Sequence, residues 1–235
     1  MEKRFAFVSG NVRGIGRDLT LRLIEMGYIV PIHYRNSQQE AYNFKEEIRE
    51  KYMIDVPIFK ADITDEKQVI NLTKSIIQEY KEIDVLVNNV GDYLYKSILD
   101  ITLDEWNYII NSNLTTSFLL TQNFLPYIRR RIIFVGFAGT DKVKAYPYTT
   151  AYNIAKTGVL IYAKSLAKVL ANKGITVNVM GIGIAENSIT KPIEEIPMRR
   201  TAYLREISDL FEFLVSDKAD YITGQLIEIA GGWKL

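Results

Sequence analysis

Short apolar runs and longer amphipathic stretches alternate along the whole chain. The runs Arg4–Ser9, Tyr28–Tyr34, Val56–Ala61, Val85–Asn88, Arg131–Val135, Thr176–Met180 and Gln225–Ile229 are apolar and often β-branched. That is the pattern of parallel strands buried on both faces. Between them, Ile15–Met26, Gln38–Lys51, Glu66–Tyr80, Leu103–Tyr127, Thr150–Asn172 and Thr201–Ser216 read as helices. Thr64-Asp65-Glu66-Lys67 and Thr102-Leu103-Asp104-Glu105 carry recognisable start signals. The alternation predicts an α/β fold, a doubly wound parallel sheet of about seven strands with helices on both faces. No linker or repeat divides residues 1–235, so a single domain is expected. The irregular segment 184–200, with two prolines and mixed charge, is the candidate substrate lid.

Composition narrows the chemistry. The formal net charge of the 235 residues is +1, so no global field draws nucleic acid or an anionic membrane. Zero cysteines remove thiolate catalysis, disulfides and Cys-ligated metal. One histidine, His33, leaves no His-rich metal site and no Ser-His-Asp triad. No metal is expected, and His33 is expected to pack in or beside its strand. No apolar run approaches the ~18 residues of a membrane span, and the N-terminus runs at once into a strand, so a cytoplasmic location is expected.

Tyr152 and Lys156 stand four apart on a predicted helix, hence on one face. An ammonium beside a phenol favours the phenolate, and the expectation is a lowered Tyr152 pKa and an acid/base role at a carbonyl. Gly10-Asn-Val-Arg-Gly14-Ile-Gly16 lies between the first strand and first helix, where glycines let backbone approach a pyrophosphate at a helix N-terminus. The second strand ends in His33-Tyr34-Arg35-Asn36-Ser37, with no carboxylate before Glu40. Arg35 and the Ser37 hydroxyl suit a 2′-phosphate, and Arg13 offers a second cation, so NADPH is expected over NADH.

Together these residues resemble the short-chain dehydrogenase/reductase family in its compact classical form. The resemblance extends through Ala61-Asp62-Ile63-Thr64, Asn88-Asn89-Val90-Gly91, Asn113-Leu114, Tyr152-Asn-Ile-Ala-Lys156, Ile175-Thr-Val-Asn178, Thr223-Gly224 and Ala230-Gly231-Gly232. It implies a Rossmann-type sheet and a nicotinamide cofactor contacted by Gly10, Arg13, Gly14, Ile15, Gly16, Arg35, Asn36 and Ser37. Asp62 and Ile63 would hold the adenine, and Asn89, Val90 and Gly91 would line the ribose side. Lys156 would bond the nicotinamide ribose. Asn113 would sit in a bent helix and hold a water of a proton relay. Gly183, Ile184 and Ala185 would receive the carboxamide, with Asn187 or Ser188 replacing the usual threonine. Asn88 and Asn178 would be scaffold. The family likeness also implies a homotetramer, or a homodimer, assembled through Leu103–Tyr127, Thr150–Asn172 and the last strand.

Two departures matter. The family places a serine near the end of the fifth strand, where this chain has Gly136 and Phe137, and no serine occurs from Leu119 to Leu160. Losing one oxyanion donor costs roughly 2.7–4 kcal/mol of barrier. Three explanations stand open. Thr140 or Asp141 curls back to supply the polar group. Alternatively, the substrate needs less polarisation, as in the C=N bond of a pterin or dihydrofolate. In the third, the chain is a catalytically weak NADP(H)-binding regulator. The default substrate, by resemblance, is a 3-oxoacyl-carrier-protein-like or small ketone. The second departure is Ile182, where the family has proline, which loosens the loop before Gly183.

Three other features complete the reading. Arg129-Arg-Arg131 is expected to be a solvated turn, and Arg199-Arg200 an exposed pair in the lid. Tyr93, Tyr95, Phe137, Tyr146 and Tyr148 fall in loops at the carboxyl ends of strands, where a planar substrate or ordinary packing would account for them.

Overall fold

The computed structural model describes residues 4–188 and 190–234. Its strands are β1 (Arg4–Val8), β2 (Tyr28–Ile29), β3 (Ile32–Tyr34), β4 (Ile58–Lys60), β5 (Ile83–Asn88), β6 (Ile128–Phe137), β7 (Thr176–Ile182) and β8 (Leu226–Ile229). Six of them form one parallel sheet, ordered β2-β1-β5-β6-β7-β8, and β3 pairs with β4 alone. The expected second strand, Tyr28–Tyr34, is thus two pieces. Pro31 has no N–H to give the ladder, and the Asn11 side chain takes over: Nδ2 donates to the Pro31 carbonyl at 2.9 Å and Oδ1 accepts from His33 N at 2.8 Å.

Alternation along the strands buries both faces. On β6 and β7, Ile133, Val135, Met180 and Ile182 pack in one core and Ile132, Phe134, Val177 and Val179 in the other. The first core is covered by α1 (Gly14–Glu25), α2 (Gln38–Tyr52) and α7 (Leu204–Val215). The second is covered by α3 (Glu66–Tyr80), α5 (Thr116–Phe124) and α6 (Thr150–Leu170). The predicted helix 103–127 is composite: α4 (Leu103–Ile110), a π-turn at Asn111–Thr115, α5, and a 3-10 turn at Leu125–Tyr127. Thr102 and Glu105 close the expected capping box at its start.

β6 begins three residues before its predicted start, which overturns the reading of Arg129–Arg131 as a solvated turn. Arg131 is buried and pairs with Asp220 while donating to Ser216 O at 3.0 Å. Arg130 pairs with Asp217, and Arg129 lies 3.3 Å from Glu82. A third, small apolar cluster of Ala138, Ile184, Ile196 and Trp233 lies beneath the segment 184–200. That segment is tied down by Ala202 N to Ile184 O and by Met198 N to Gly231 O. Ile189, within the expected lid, lies outside the described residues.

Candidate active site

The glycine turn is shaped by close approach. Gly10 and Gly14 adopt φ of +62° and +56°. A Cβ at Gly16 would stand 2.7 Å from the Gly10 carbonyl oxygen, so no side chain fits without moving backbone. His33 braces the turn from behind. Its Nδ1 accepts from Gly10 N at 2.8 Å and its Nε2 lies 3.2 Å from Ala61 O, an arrangement that needs the neutral ring. Burial pushes the His33 pKa down to about 4. Asn89 ties the end of β5 to the same turn, donating to Ser9 O at 2.9 Å and Gly10 O at 3.2 Å.

A cavity of about 720 Å³ runs from this turn in two directions. At one end it is bordered by Tyr34, Arg35, Asn36, Ser37, Asp62 and Ile63. Asp62 Oδ1 accepts from the Thr64 N–H and hydroxyl at 2.9 and 2.7 Å, which leaves Oδ2 3.8 Å from Arg35. Arg35 also faces the Tyr108 hydroxyl, which donates to Asp92 at 2.6 Å.

At the other end stand Tyr152 and Lys156 on α6. Lys156 is buried, donates to Val135 O at 3.0 Å, and has its pKa pushed down to about 8 by that burial. The expectation that its ammonium lowers the Tyr152 pKa is not met. Burial first, and Tyr93 second, push Tyr152 upward, and Lys156 Nζ is 5.7 Å from the ring centre. Asn113 sits in the π-turn as the resemblance implied. Its Nδ2 donates to Asp92 O and Ile109 O at 2.8 and 3.0 Å, while its buried Oδ1 has no partner among the described residues. A Cβ at Gly91 would meet Asn113 Oδ1 at 2.2 Å and Lys156 Nζ at 3.0 Å, so both polar atoms border one small gap.

Around Tyr152 the walls are aromatic. Tyr93 and Phe137 meet its ring edge-on with centroids 5.1 and 5.4 Å away, and Trp233 meets Phe137 edge-on at 5.4 Å. Tyr95 and Tyr148 stack at 5.2 Å. Neither Thr140 nor Asp141 reaches the cavity. Thr140 is buried with its hydroxyl oxygen unpartnered among the described residues, and its carbonyl accepts from Thr157. The turn that holds it is pinned outward by Gly139 N donating to Glu228 at 2.5 Å. The idea that one of these replaces the missing serine is therefore corrected: the place is filled by the Phe137 ring.

Comparison with known proteins fits this geometry. The family model described as enoyl-(acyl carrier protein) reductase matches residues 10–234. The chain belongs to the short-chain dehydrogenase/reductase family. It is 32% identical over 238 residues to a 3-oxoacyl-[acyl-carrier-protein] reductase of Staphylococcus aureus, covering 97% of this chain and 96% of that one. A Burkholderia cenocepacia short-chain dehydrogenase crystallised with NADP is 26% identical, with a TM-score of 0.90 over 98% of this chain and 97% of the other. A blue fluorescent protein from a metagenomic library, crystallised with NADPH, superposes with a TM-score of 0.91 at 25% identity, covering 99% and 98% of the two chains.

In this short-chain dehydrogenase/reductase, Gly10, Arg13, Ile15, Gly16, Arg35, Asn36, Ser37, Asp62, Ile63, Asn89, Val90, Gly91, Tyr152, Lys156, Gly183 and Ala185 all border the cavity. Two expected residues do not. Gly14 shapes the first turn of α1 from behind, and Asn113 lies wholly buried beneath Gly91. Sequence reasoning missed Trp233 and Lys234, which line the cavity beyond the Ala230-Gly231-Gly232 motif. Arg200 is spent on Glu206 at 2.7 Å, and Arg199 donates to Glu194 O, so neither faces the cleft. No group of metal-ligating side chains occurs among the described residues, and no described helix is long and apolar enough to cross a membrane.

Proposed function

We propose that the chain reduces a carbonyl substrate with NADPH. The observation that carries this reading is the single cavity joining the Arg35–Ser37 corner, the glycine turn and the Tyr152–Lys156 pair. Its dimensions and lining fit a dinucleotide: backbone without side chains at Gly10 and Gly16 for the pyrophosphate, and cations Arg13 and Arg35 at the adenosine end. When bound there, the cofactor supplies a hydride.

The remaining chemistry belongs to the chain. Tyr152, its pKa raised, is held as a neutral phenol at pH 7, the form that donates a proton to an oxygen gaining charge. Lys156 keeps two ammonium protons beyond the one given to Val135 O, and these suit ribose hydroxyls. The unpartnered Asn113 Oδ1 beside Lys156 suits a water that returns protons from solvent. Rings around Tyr152 exclude bulk water and orient the acceptor, where much of the rate arises.

The default substrate is a 3-oxoacyl thioester or small ketone, supported by the named Staphylococcus relative. A second reading, a planar C=N as in a pterin or dihydrofolate, is favoured by the Phe137 ring in place of a polarising hydroxyl. Assembly as a homotetramer is supported by Leu103, Phe118, Ile154 and Ile161, exposed apolar side chains on α4, α5 and α6.

The test is NADPH oxidation at 340 nm against short 3-oxoacyl thioesters, diketones, quinones and dihydropterins, with NADH and Tyr152→Phe in parallel. Turnover that needs Tyr152 establishes the reductase, and the preferred substrate chooses between ketone and imine. NADPH binding without turnover on any of them points to a non-catalytic nucleotide-binding protein.

A further inference from the structure

Residues 231–234 return to the end of the cleft that holds Tyr152 and bring a charge with them. Gly231 and Gly232, at φ of +60° and +84°, turn the chain back under Ile196 and Pro197. Trp233 is then buried against Phe137, with its Nε1 donating to Glu195 at 3.3 Å. Lys234 follows in a left-handed conformation at φ +69°, uncommon for a residue with a side chain and concentrated in proteins at ligand sites. Its carbonyl is held by Lys142 Nζ at 2.8 Å, and its stem packs over Gly139.

This arrangement aims a cation at the cavity. Lys234 borders it, and its ammonium lies 4.2 Å from the Trp233 ring centre. No carboxylate of the described residues stands within 4.0 Å of that ammonium. Of the charged groups nearby, Lys144 repels it, while Glu195, which accepts from Trp233 Nε1, attracts it from beyond 4.0 Å, and Glu228 accepts from Gly139 N. A desolvated ammonium facing a ring-walled pocket is poorly placed for stability and well placed for an anion.

We propose that Lys234 anchors an anionic group on the substrate, so that the site takes a flat, conjugated acceptor bearing a carboxylate or phosphate. The rings of Tyr93, Tyr152, Phe137 and Trp233 contact the planar part, and Lys234 contacts the anion at the rim. The acceptor is conjugated because Phe137 brings a ring and no second hydroxyl to stand with that of Tyr152 against a localised oxyanion. The inference rests on the reading above that this end of the cleft receives the substrate.

The test uses binding, so that it is scored apart from turnover. In a Trp106→Phe background Trp233 is the single tryptophan. With NADP saturating, 2-naphthoate, 2-naphthyl phosphate and 2-naphthamide are titrated against Trp233 fluorescence. The expected result is at least about tenfold tighter binding of one or both anions than of the amide, a difference abolished in Lys234→Met and kept in Lys234→Arg. The better of the two anions identifies the group. Equal affinity for all three, no binding of any, or a preference that survives Lys234→Met overturns the proposal. Failure of the reductase reading shows separately, as absent NADP binding in the saturation step or absent turnover at 340 nm.

Discussion

Around the glycine turn, polar side chains are spent on backbone: His33 on Gly10, Asn89 on Ser9 and Gly10, Asn11 on Pro31. Around Tyr152 such bonds lie behind the wall and not in it: Lys156 donates to Val135 O, and Asn113 to Asp92 O and Ile109 O. The walls there are rings in edge contact, brought by the loop after β5, the end of β6, the turn after β8 and by α6 itself. The half we assign to the cofactor is thus held by directional bonds to backbone, and the half we assign to the substrate is walled mainly by packing. A dinucleotide is invariant in its pyrophosphate and riboses, so a site for it is bound by geometry. A substrate is not, and a wall of side chains can be exchanged without disturbing the turn beneath it.

The largest test of that division is Tyr152→Phe. Removing the proton donor from the packed half lowers kcat by about 10²–10⁴-fold. The ring contacts with Tyr93 and Phe137 remain, so NADPH affinity by fluorescence titration stays within about twofold, well below the tenfold that corresponds to 1.4 kcal/mol. A large loss of affinity would mean the two halves are not separable.

The bonded half answers to pH instead. His33 titrates at about 4 in the folded chain because of burial and near 6.5 when unfolded. The unfolded state therefore takes up the proton first, and the stability contributed by neutral His33 is complete above pH 6.5 and lost as pH falls towards 4. The full shift corresponds to about 3 kcal/mol. Urea midpoints at pH 7, 5.5 and 4.5 should fall more steeply for the parent chain than for His33→Gln, which can still accept from Gly10 N but does not titrate. Parallel curves would show that the turn does not depend on the ring.

How much of this could be read beforehand divides along the same line. The cofactor half is written in short contiguous motifs, Gly10–Gly16 and Asn88–Gly91, whose strand and helix context follows from hydrophobic alternation. Its hidden parts were those where a side chain replaces backbone. Asn11 standing in for the ladder at Pro31 has no signature in the sequence, and the bend at Asn113 follows from the family resemblance alone, since the periodicity of 103–127 reads as unbroken helix. The substrate half joins Tyr93, Phe137, Tyr152 and Trp233, separated by up to 140 positions in the chain. No local pattern announces that Trp233 meets Phe137, because the contact depends on two glycines reversing the tail. The raised pKa of Tyr152 was likewise illegible, since four-residue spacing places Lys156 on the same face but does not show the burial and the Tyr93 contact that raise it, nor that Val135 O claims the ammonium.

Phe137→Ser sharpens the comparison by putting a hydrogen-bond donor into the packed half. One oxyanion donor is worth roughly 10²–10³ in rate where it is fully preorganised. Here Trp233 and Tyr152 lose the ring they pack on, so a gain of about tenfold in kcat/KM on unconjugated 3-oxo substrates is expected. A flat conjugated substrate should lose affinity in the same variant. A gain on both would mean that the ring serves no acceptor, and that serine was replaced for a reason outside this cleft.

The smallest effect is expected from Arg35→Ala, and its size is instructive. A charged hydrogen bond to a phosphate is worth about 1.5–3 kcal/mol when the donor is otherwise unengaged. Arg35 is engaged: it lies 3.8 Å from Asp62, faces Tyr108, and its side chain is 42% exposed. Binding a 2′-phosphate must draw the guanidinium from those partners in a solvent-screened corner, which leaves a net preference of about 1 kcal/mol, or fivefold. Titrating parent and variant with NADPH and NADH should therefore weaken only NADPH, and only by that factor. A fall of a hundredfold would mean that Arg35 meets the phosphate at no cost to Asp62, and that the adenosine corner is as rigidly prepared as the glycine turn. No change would transfer the discrimination to Arg13 and Ser37, which border the same cavity from the turn before α1 and from the loop after β3.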